Sequence, residues 1–178
     1  MKLYLARHCK TNYNELSLCN YDPTVDVHLS PTGLAQAETL AEKLRETHFD
    51  HILVSEHKRT QQTADAINKF HNQEVGIDPR LNDHISGFEG RHFEELQKAL
   101  DAADNRWAVR LNGGESIEDL KIRVAGFIDD LRTKDYDSVL IVTSQWPINV
   151  MLVILQNISY EEAWAREAEQ GTYITLEI

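Results

Sequence analysis

Short apolar runs alternate with longer amphipathic segments along the chain. The runs at residues 2–6, 51–55 and 138–143 have the length of β-strands, and the third is continuously apolar, as expected of a strand covered on both faces of a parallel sheet. A weaker run follows at residues 74–77, and residues 172–178 alternate between apolar and polar side chains, which predicts an edge strand. The pattern therefore predicts one sheet built from several short strands.

Helical periodicity fills most of the segments between these strands. Ser30 is a favourable N-cap residue before Pro31, so a helix is predicted to begin there. Its apolar face is predicted to comprise Leu34, Ala37, Ala41 and Leu44. A second helix is predicted over residues 58–70, with Phe70 on its buried face.

Two later helices complete the pattern. They are predicted at residues 114–131, where Ser116 and Asp119 have the spacing of a capping box, and at residues 147–156. The alternation of strands and helices shows neither an internal repeat nor a linker. It predicts a single domain, residues 1–178, of the α/β class: a three-layer α/β/α sandwich around a mostly parallel sheet.

The composition is that of an ordinary globular protein with an acidic balance. The formal net charge of −11 argues against nucleic acid or an anionic membrane as the main partner. No apolar run approaches the roughly 18 residues of a membrane-spanning helix, and the first residues lack the features of a signal peptide. Cys9 and Cys19 form neither a zinc pattern nor a disulfide framework. These features predict a cytoplasmic protein.

Three strand ends carry polar residues that suit an anion. Ligands of parallel α/β sheets bind beyond the carboxyl ends of the strands. There the sequence places Arg7 and His8 after the first strand, residues 55–59 after the second, and Ser144 and Gln145 after residue 143. Arginine presents a rigid fork of donors that suits phosphate, and histidine can act as a nucleophile or a base. An Arg–His pair alone is more often structural, so a functional role for Arg7 and His8 depends on support from the other segments of the chain.

Several segments resemble one family, in the family's own order. "RHCKTNYN" is similar to the R-H-G-E-T-x-x-N signature of the histidine phosphatase superfamily, the phosphoglycerate mutase-like proteins. "HLSPTGLAQAETLAEKL" resembles its L-T-x-x-G-x-x-Q-A helix, and "SEHKRTQQTA" resembles its S-x-x-x-R-x-x-Q-T-A segment. "LNGGES" resembles its P-G-G-E-S turn. The resemblance covers most of the chain and implies a phosphoglycerate mutase-like fold.

The resemblance implies a phosphatase that needs neither a metal nor a cofactor. His8 would be the nucleophile that forms a phosphohistidine, while Arg7 and Arg59 would hold the phosphate oxygens. Asn14 would contribute a further donor. The substrate would be a small phosphorylated metabolite or a phosphoprotein, and hydrolysis is implied because the mutases of this family are usually longer. The sequence does not indicate an oligomeric state.

The residue that protonates the leaving oxygen is less well defined. The family places a glutamate in a segment resembling L-x-E-x-x-x-G-x-W-E-G, and the chain reads "LNDHISGFEG", which is one residue shorter. Counted from Leu81, Asp83 takes the glutamate position, with a side chain one methylene shorter. Asp83 is therefore the predicted acid, and His84 and Glu89 are the alternatives.

The resemblance breaks after the strand at residues 138–143. The family carries a second histidine there, in V-S-H-G, which contacts the same phosphoryl group, whereas this chain has Ser144. A serine hydroxyl can hydrogen-bond a phosphate, directly or through water, but supplies no positive charge. Ser144 is thus predicted to bind phosphate in an enzyme of weak or altered activity. The alternative is a catalytically inactive pseudo-phosphatase that binds a phosphorylated ligand or a protein partner.

Two further departures lie beside the predicted site. Cys9 stands where the family has a glycine, and we interpret it as a tolerated small side chain in preference to a redox-sensitive thiol with a pKa lowered by Arg7. Trp146 stands where the family has small residues. We interpret it as core or pocket wall in preference to a ring that stacks on substrate.

Overall fold

The sheet places the first and fourth strands side by side at its centre. The computed structural model describes residues 1–166 and 168–178. Its five strands are β1 (Lys2–Arg7), β2 (His51–Val54), β3 (Val75–Ile77), β4 (Ser138–Thr143) and β5 (Tyr173–Glu177). Their order is β3-β2-β4-β1-β5, and all neighbours are parallel except β5, which runs antiparallel to β1 at one edge. The predicted mostly parallel sheet and the predicted edge strand are confirmed.

Helices connect the strands and cover both faces of the sheet. They are α1 (Asn12–Glu15), α2 (Pro31–Leu44), α3 (Lys58–Asn68), α4 (Phe93–Asp101), α5 (Ile117–Arg132), α6 (Gln145–Gln156) and α7 (Tyr160–Trp164), and residues 79–81 form a short 3-10 helix. Across the two described stretches of chain, none of the helices has both the length and the apolar character that crossing a bilayer requires.

The alternating side chains of β4 divide the core into two layers. Val139 and Ile141 face α5 and α6, where they pack with residues such as Leu120. Leu140 and Val142 face α2 and α3 on the opposite side of the sheet. This two-sided burial explains why the strand is continuously apolar, and it confirms the predicted three-layer α/β/α arrangement.

The helix starts follow from the capping residues, but the buried faces are set by packing. Ser30 Oγ accepts from the backbone N–H of Gly33, and Ser116 and Asp119 form the predicted capping box. Leu34, predicted to be buried, is 52% exposed. Ala37, Ala41 and Leu44 are buried as predicted, and Gly33 takes the buried place expected for Leu34. Gly33 packs against the backbone of Lys10, where a Cβ would lie 1.9 Å from the carbonyl oxygen.

Phe70 is the second position where the helical pattern was wrong. Helix α3 ends at Asn68, so Phe70 lies beyond the end of the helix, and it is 39% exposed. The guanidinium of Arg45 covers its ring, with 5.0 Å from the guanidinium carbon to the ring centre. A cationic side chain thus shields a ring that the pattern assigned to the core.

Candidate active site

The register between β1 and β4 brings the two candidate strand ends together. Arg7 pairs with Thr143, and the N–H of His8 donates to the Thr143 carbonyl at 2.9 Å. His8 and Ser144 therefore emerge side by side. A cavity of about 570 Å³ opens at this edge of the sheet. Its wall includes five of the predicted site residues, which are Arg7, His8, Asn14, Arg59 and Asp83.

The His8 ring is buried and has one nitrogen fixed by the backbone. Nδ1 donates to the carbonyl of Cys9 at 2.8 Å, which leaves the Nε2 lone pair as the nucleophilic one. Burial lowers the pKa of His8 well below its ordinary value, and the positive charges of Arg59 and Arg7 lower it further. The imidazole is therefore neutral near pH 7, the state that the predicted nucleophilic role requires.

Arg59 is held by hydrogen bonds to oxygen atoms of three residues. It is 3% exposed, and its Nη2 donates to the Asn20 carbonyl, to Asp83 Oδ2 and to Ser144 Oγ, each at 3.2 Å. Its Nη1 also donates to the side-chain oxygen of Asn20. Asn20 was not among the predicted residues, because no motif marks it and its position depends on the path of the loop after α1.

Arg7 is positioned by residues from two other segments. Its Nη1 donates to Gln145 Oε1 at 3.0 Å and to the carbonyl of Ala168 at 2.8 Å. Gln145 directly follows Ser144, so its proximity to β1 was foreseeable, but its contact with Arg7 was not predicted. The two arginines are thus held by different sets of residues.

Ser144 and Asn14 contribute to the site in different ways. Ser144 is the N-cap residue of α6, 1% exposed, and its visible role is to accept from Arg59. Asn14 lines the cavity, and its Oδ1 accepts from the backbone N–H of Thr11 at 3.0 Å and from its hydroxyl at 2.9 Å. The oxygen of Asn14 therefore orders the loop after β1, and its Nδ2 is the atom that can donate to a phosphate. Both phosphate-binding roles stay predictions.

The three candidate acids lie in different environments. Asp83 lines the cavity, with Oδ1 accepting from the N–H of His84 at 2.9 Å and Oδ2 facing Arg59. The Glu89 carboxylate is occupied with loop atoms, since it accepts from the backbone N–H groups of Tyr21 at 2.7 Å and of Asp22 at 2.9 Å. Glu89 therefore anchors a loop, and its geometry does not favour the acid role.

His84 is also better placed for packing than for proton transfer. Its Nε2 donates to the carbonyl of Glu115 at 2.8 Å, and its ring stacks on Trp146 with 4.6 Å between ring centres. Burial lowers the pKa of His84, so the ring is neutral near pH 7, and its N–H is already bonded to the Glu115 carbonyl. The geometry favours Asp83, whose catalytic role stays a prediction.

The far side of the cavity is apolar. Trp146 meets the edge of Trp164 at 5.8 Å between ring centres, and both line the cavity with Phe93 and Leu96. Trp146 therefore forms pocket wall, in keeping with the preferred interpretation of this residue. An aromatic surface of this kind offers contact area to an organic ligand.

The environment of Cys9 is that of a structural thiol. The side chain is fully buried, and burial raises the pKa of the thiol to about 11. Arg7 does not lower it, contrary to the redox alternative. An inert thiol of this kind agrees with the preferred interpretation of Cys9 as a small residue under the loop.

The buried His57 makes stability depend on pH. Its Nε2 donates to the Tyr21 carbonyl at 3.1 Å, and burial together with the charge of Arg59 lowers its pKa from 6.5 to about 4. Between these values the unfolded chain binds more protons than the folded one, so the free energy of unfolding falls as pH drops from 6.5 towards 4.

We expect His57→Gln to weaken this pH dependence. In urea unfolding at pH 7 and pH 5, the loss of unfolding free energy on acidification should be smaller by about 2 kcal/mol in the variant than in the parent, provided the variant folds. The acid-induced loss that comes from His8 is present in both proteins and cancels. Equal losses in the two proteins would contradict the argument.

Comparison with known proteins points to one family. The family model described as histidine phosphatase superfamily (branch 1) matches residues 3–178. A putative phosphoserine phosphatase 2 of Hydrogenobacter thermophilus is 29% identical over 169 residues, which are 92% of this chain and 82% of that protein. The adenosylcobalamin/alpha-ribazole phosphatase of Salmonella typhi is 30% identical over 186 residues, covering 100% of this chain and 91% of that protein.

A solved structure agrees with these sequence similarities. The alpha-ribazole phosphatase from Shigella flexneri has a TM-score of 0.85 and 30% sequence identity to this chain, with coverage of 100% of this chain and 91% of that one. The resemblance derived from the motifs and the fold derived from the pattern are both supported over nearly the whole chain.

Proposed function

This chain belongs to the histidine phosphatase superfamily, and on that premise we propose that it is a cofactor-independent phosphatase acting through a phosphohistidine at His8. The observation that carries the proposal is the buried His8, with Nδ1 held by the Cys9 carbonyl, in one cavity with Arg7 and Arg59. The relatives of similar length are named as phosphatases, which supports hydrolysis of a phosphoric monoester.

The mechanism follows from the atoms that face the cavity. Arg7 and Arg59 bind the non-bridging oxygens, and His8 Nε2 attacks the phosphorus while the bond to the leaving oxygen breaks. Asp83, which takes up a proton before this step, gives that proton to the leaving oxygen and becomes a carboxylate. Water, deprotonated by Asp83, then attacks the phosphohistidine, and phosphate leaves with His8 restored. Over the two steps Asp83 regains its proton from water, and the phosphoryl group passes from the substrate to His8 and then to water.

Ser144 limits the rate in this proposal. Its hydroxyl bonds Arg59 and carries no charge, so the transition state lacks the donor that a second imidazole would give. Loss of one such preorganised donor commonly costs about 3–4 kcal/mol of transition-state stabilisation. The two arginines still bind the phosphate group. We therefore expect a protein with ordinary affinity for its phosphorylated substrate and slow turnover of it.

The cavity supports a small phosphorylated metabolite as the substrate. Its volume of about 570 Å³ lies within the range of small-molecule sites, and its aromatic wall offers contact area to an organic body. A phosphoprotein is the alternative substrate, and comparing turnover of a phosphopeptide with that of small monoesters distinguishes them. Cytoplasmic location and the absence of nucleic-acid or membrane partners stay predictions.

Ser144 also favours a second candidate function. With Arg59 bonded to Asp83 and Ser144, the site can hold a phosphate group and fail to turn it over. The protein would then be a pseudo-phosphatase that binds a phosphorylated ligand or a partner. Affinity for orthovanadate together with no hydrolysis is the result that this candidate predicts.

A phosphatase assay with chemical trapping tests the proposal. The purified protein is incubated with para-nitrophenyl phosphate to measure turnover and with a radiolabelled phosphoryl donor to trap the intermediate. We expect slow release of nitrophenol and a base-stable, acid-labile label at His8. Absence of both turnover and label would contradict the enzyme and leave the binding function.

Replacing Asp83 by Asn should make turnover depend on the leaving group. Hydrolysis of an alkyl phosphate, whose leaving oxygen needs a proton, should slow by about 10²-fold or more relative to hydrolysis of para-nitrophenyl phosphate. The lost contact with Arg59 affects both substrates equally, so the ratio of the two rates isolates the proton. Glu89→Gln is the control, because its loop contacts lie outside proton transfer and it should leave the ratio unchanged.

A further inference from the structure

Gln145 makes three hydrogen bonds at the start of α6. Its Oε1 accepts from Arg7 Nη1 at 3.0 Å and from the backbone N–H of Ala168 at 3.1 Å. Its Nε2 donates to Asn149 Oδ1 at 2.6 Å. The side chain lines the cavity and connects the end of β4 with the guanidinium that follows β1.

These partners fix the direction of the Gln145 amide. Asn149 is one helical turn further along α6 and 1% exposed, so its oxygen needs a donor inside the protein. A flipped Gln145 amide would set Nε2 against two donors, Arg7 and the Ala168 N–H. Of the two orientations, only the observed one satisfies these three partners, and it gives Arg7 a fixed acceptor.

We propose that Gln145 is a positioning residue for phosphate binding: its amide, held by Asn149, orients the guanidinium of Arg7 towards the phosphate. This inference rests on the proposed function of the cavity as a phosphate site. An amide is suited to the task because it accepts from Arg7 and donates to Asn149 at once. A carboxylate lacks the second ability, and an aliphatic side chain lacks both.

Gln145→Met removes the acceptor and keeps the length of the side chain. We expect the dissociation constant for orthovanadate to rise about tenfold, because a charge-assisted hydrogen bond that orients an arginine is lost. The KM for para-nitrophenyl phosphate should rise with it. Gln145→Glu is the second variant, since it keeps both the length and an acceptor for Arg7.

The pH profile reports whether position 145 is close enough to Arg7 and His8 for a charge there to act on the His8 ring. Among residues 1–166 and 168–178, the charges that act on His8 come from Arg59, Arg7 and His57. A carboxylate introduced at position 145 partly offsets the charge of Arg7 and raises the pKa of His8. The acid limb of kcat/KM should therefore move to higher pH in Gln145→Glu and stay in place in Gln145→Met. Among the described residues, the other titratable side chains lining the cavity are Lys10, Tyr13, Cys19, Asp83, His84 and Glu169.

Gln156→Glu is a matched control on the same helix. Gln156 is exposed and also accepts from an arginine, Arg166, at 2.6 Å, so the substitution makes the same chemical change. It lies eleven positions after Gln145 along the helix, a rise of about 16 Å, which exceeds the Debye length of about 10 Å at 0.1 M salt. Vanadate affinity and the pH profile should both stay at their parental values.

The outcomes separate this proposal from the proposed function. Parental vanadate affinity in both Gln145 variants overturns the positioning role and leaves the phosphatase intact. A parent that binds vanadate without turning substrate over contradicts the phosphatase, and the affinities of the variants still decide the role of Gln145. A parent that binds no vanadate overturns both.

Discussion

Replacing His8 with glutamine is expected to reduce turnover of para-nitrophenyl phosphate at least about 10³-fold and to abolish the acid-labile label. The expectation follows from the geometry of the ring. Nδ1 is committed to the carbonyl of Cys9, so Nε2 is the atom that attacks, and glutamine has no comparable nucleophile. Glutamine retains a donor for that carbonyl, which protects the fold of the loop.

The control for this experiment is another histidine far from the cavity. The side chain of His48 is 74% exposed, so His48→Gln should keep the parental rate and the parental label. Far-UV circular dichroism and the unfolding midpoint verify that His8→Gln is folded. If a folded His8→Gln protein kept a rate near that of the parent, water would be attacking the phosphate directly and the phosphohistidine mechanism would be wrong.

The fold could be predicted from the sequence because the signals that define its strands and helices lie within short stretches of chain. Apolar runs of the right length predicted the strands, and Ser30 and Ser116 predicted two helix starts through their capping chemistry. The wrong predictions of burial lie where contacts between segments differ from what the helical periodicity indicates. Leu34 is exposed because Gly33, which has no side chain, is what allows α2 to approach the backbone of Lys10.

The site could be predicted from the sequence only for residues that belong to a recognisable motif. Arg7 and His8 are adjacent in sequence, and parallel pairing of β1 with β4 places Ser144 beside them. The partners that orient the two arginines come from elsewhere: Asn20 lies on a loop, and Gln145 acts through a side-chain direction. Hydrogen bonds of this kind depend on loop path and rotamer, and neither leaves a periodic signal in the sequence.

Ser144→His is expected to raise kcat for para-nitrophenyl phosphate by about 10²-fold or more, because it restores a donor of the kind that commonly contributes about 3–4 kcal/mol. Position 144 directly follows β4 beside His8 and begins α6, so an imidazole there projects from the same strand end. The positive end of the helix dipole favours the negative charge of the phosphoryl group at this point.

The serine itself is expected to contribute little to the rate. Ser144→Ala removes a hydroxyl that bonds Arg59 at 3.2 Å, a contact that Arg59 shares with Asn20 and Asp83. Its kcat should therefore remain within about tenfold of the parent, since the net value of one such hydrogen bond is about 1 kcal/mol. If Ser144→His folds, binds vanadate and is no faster than Ser144→Ala, the missing histidine is not what limits this protein. The constraint would then lie with Asp83, whose carboxylate pairs with Arg59 and must take up a proton and leave Arg59 before it can protonate the leaving oxygen.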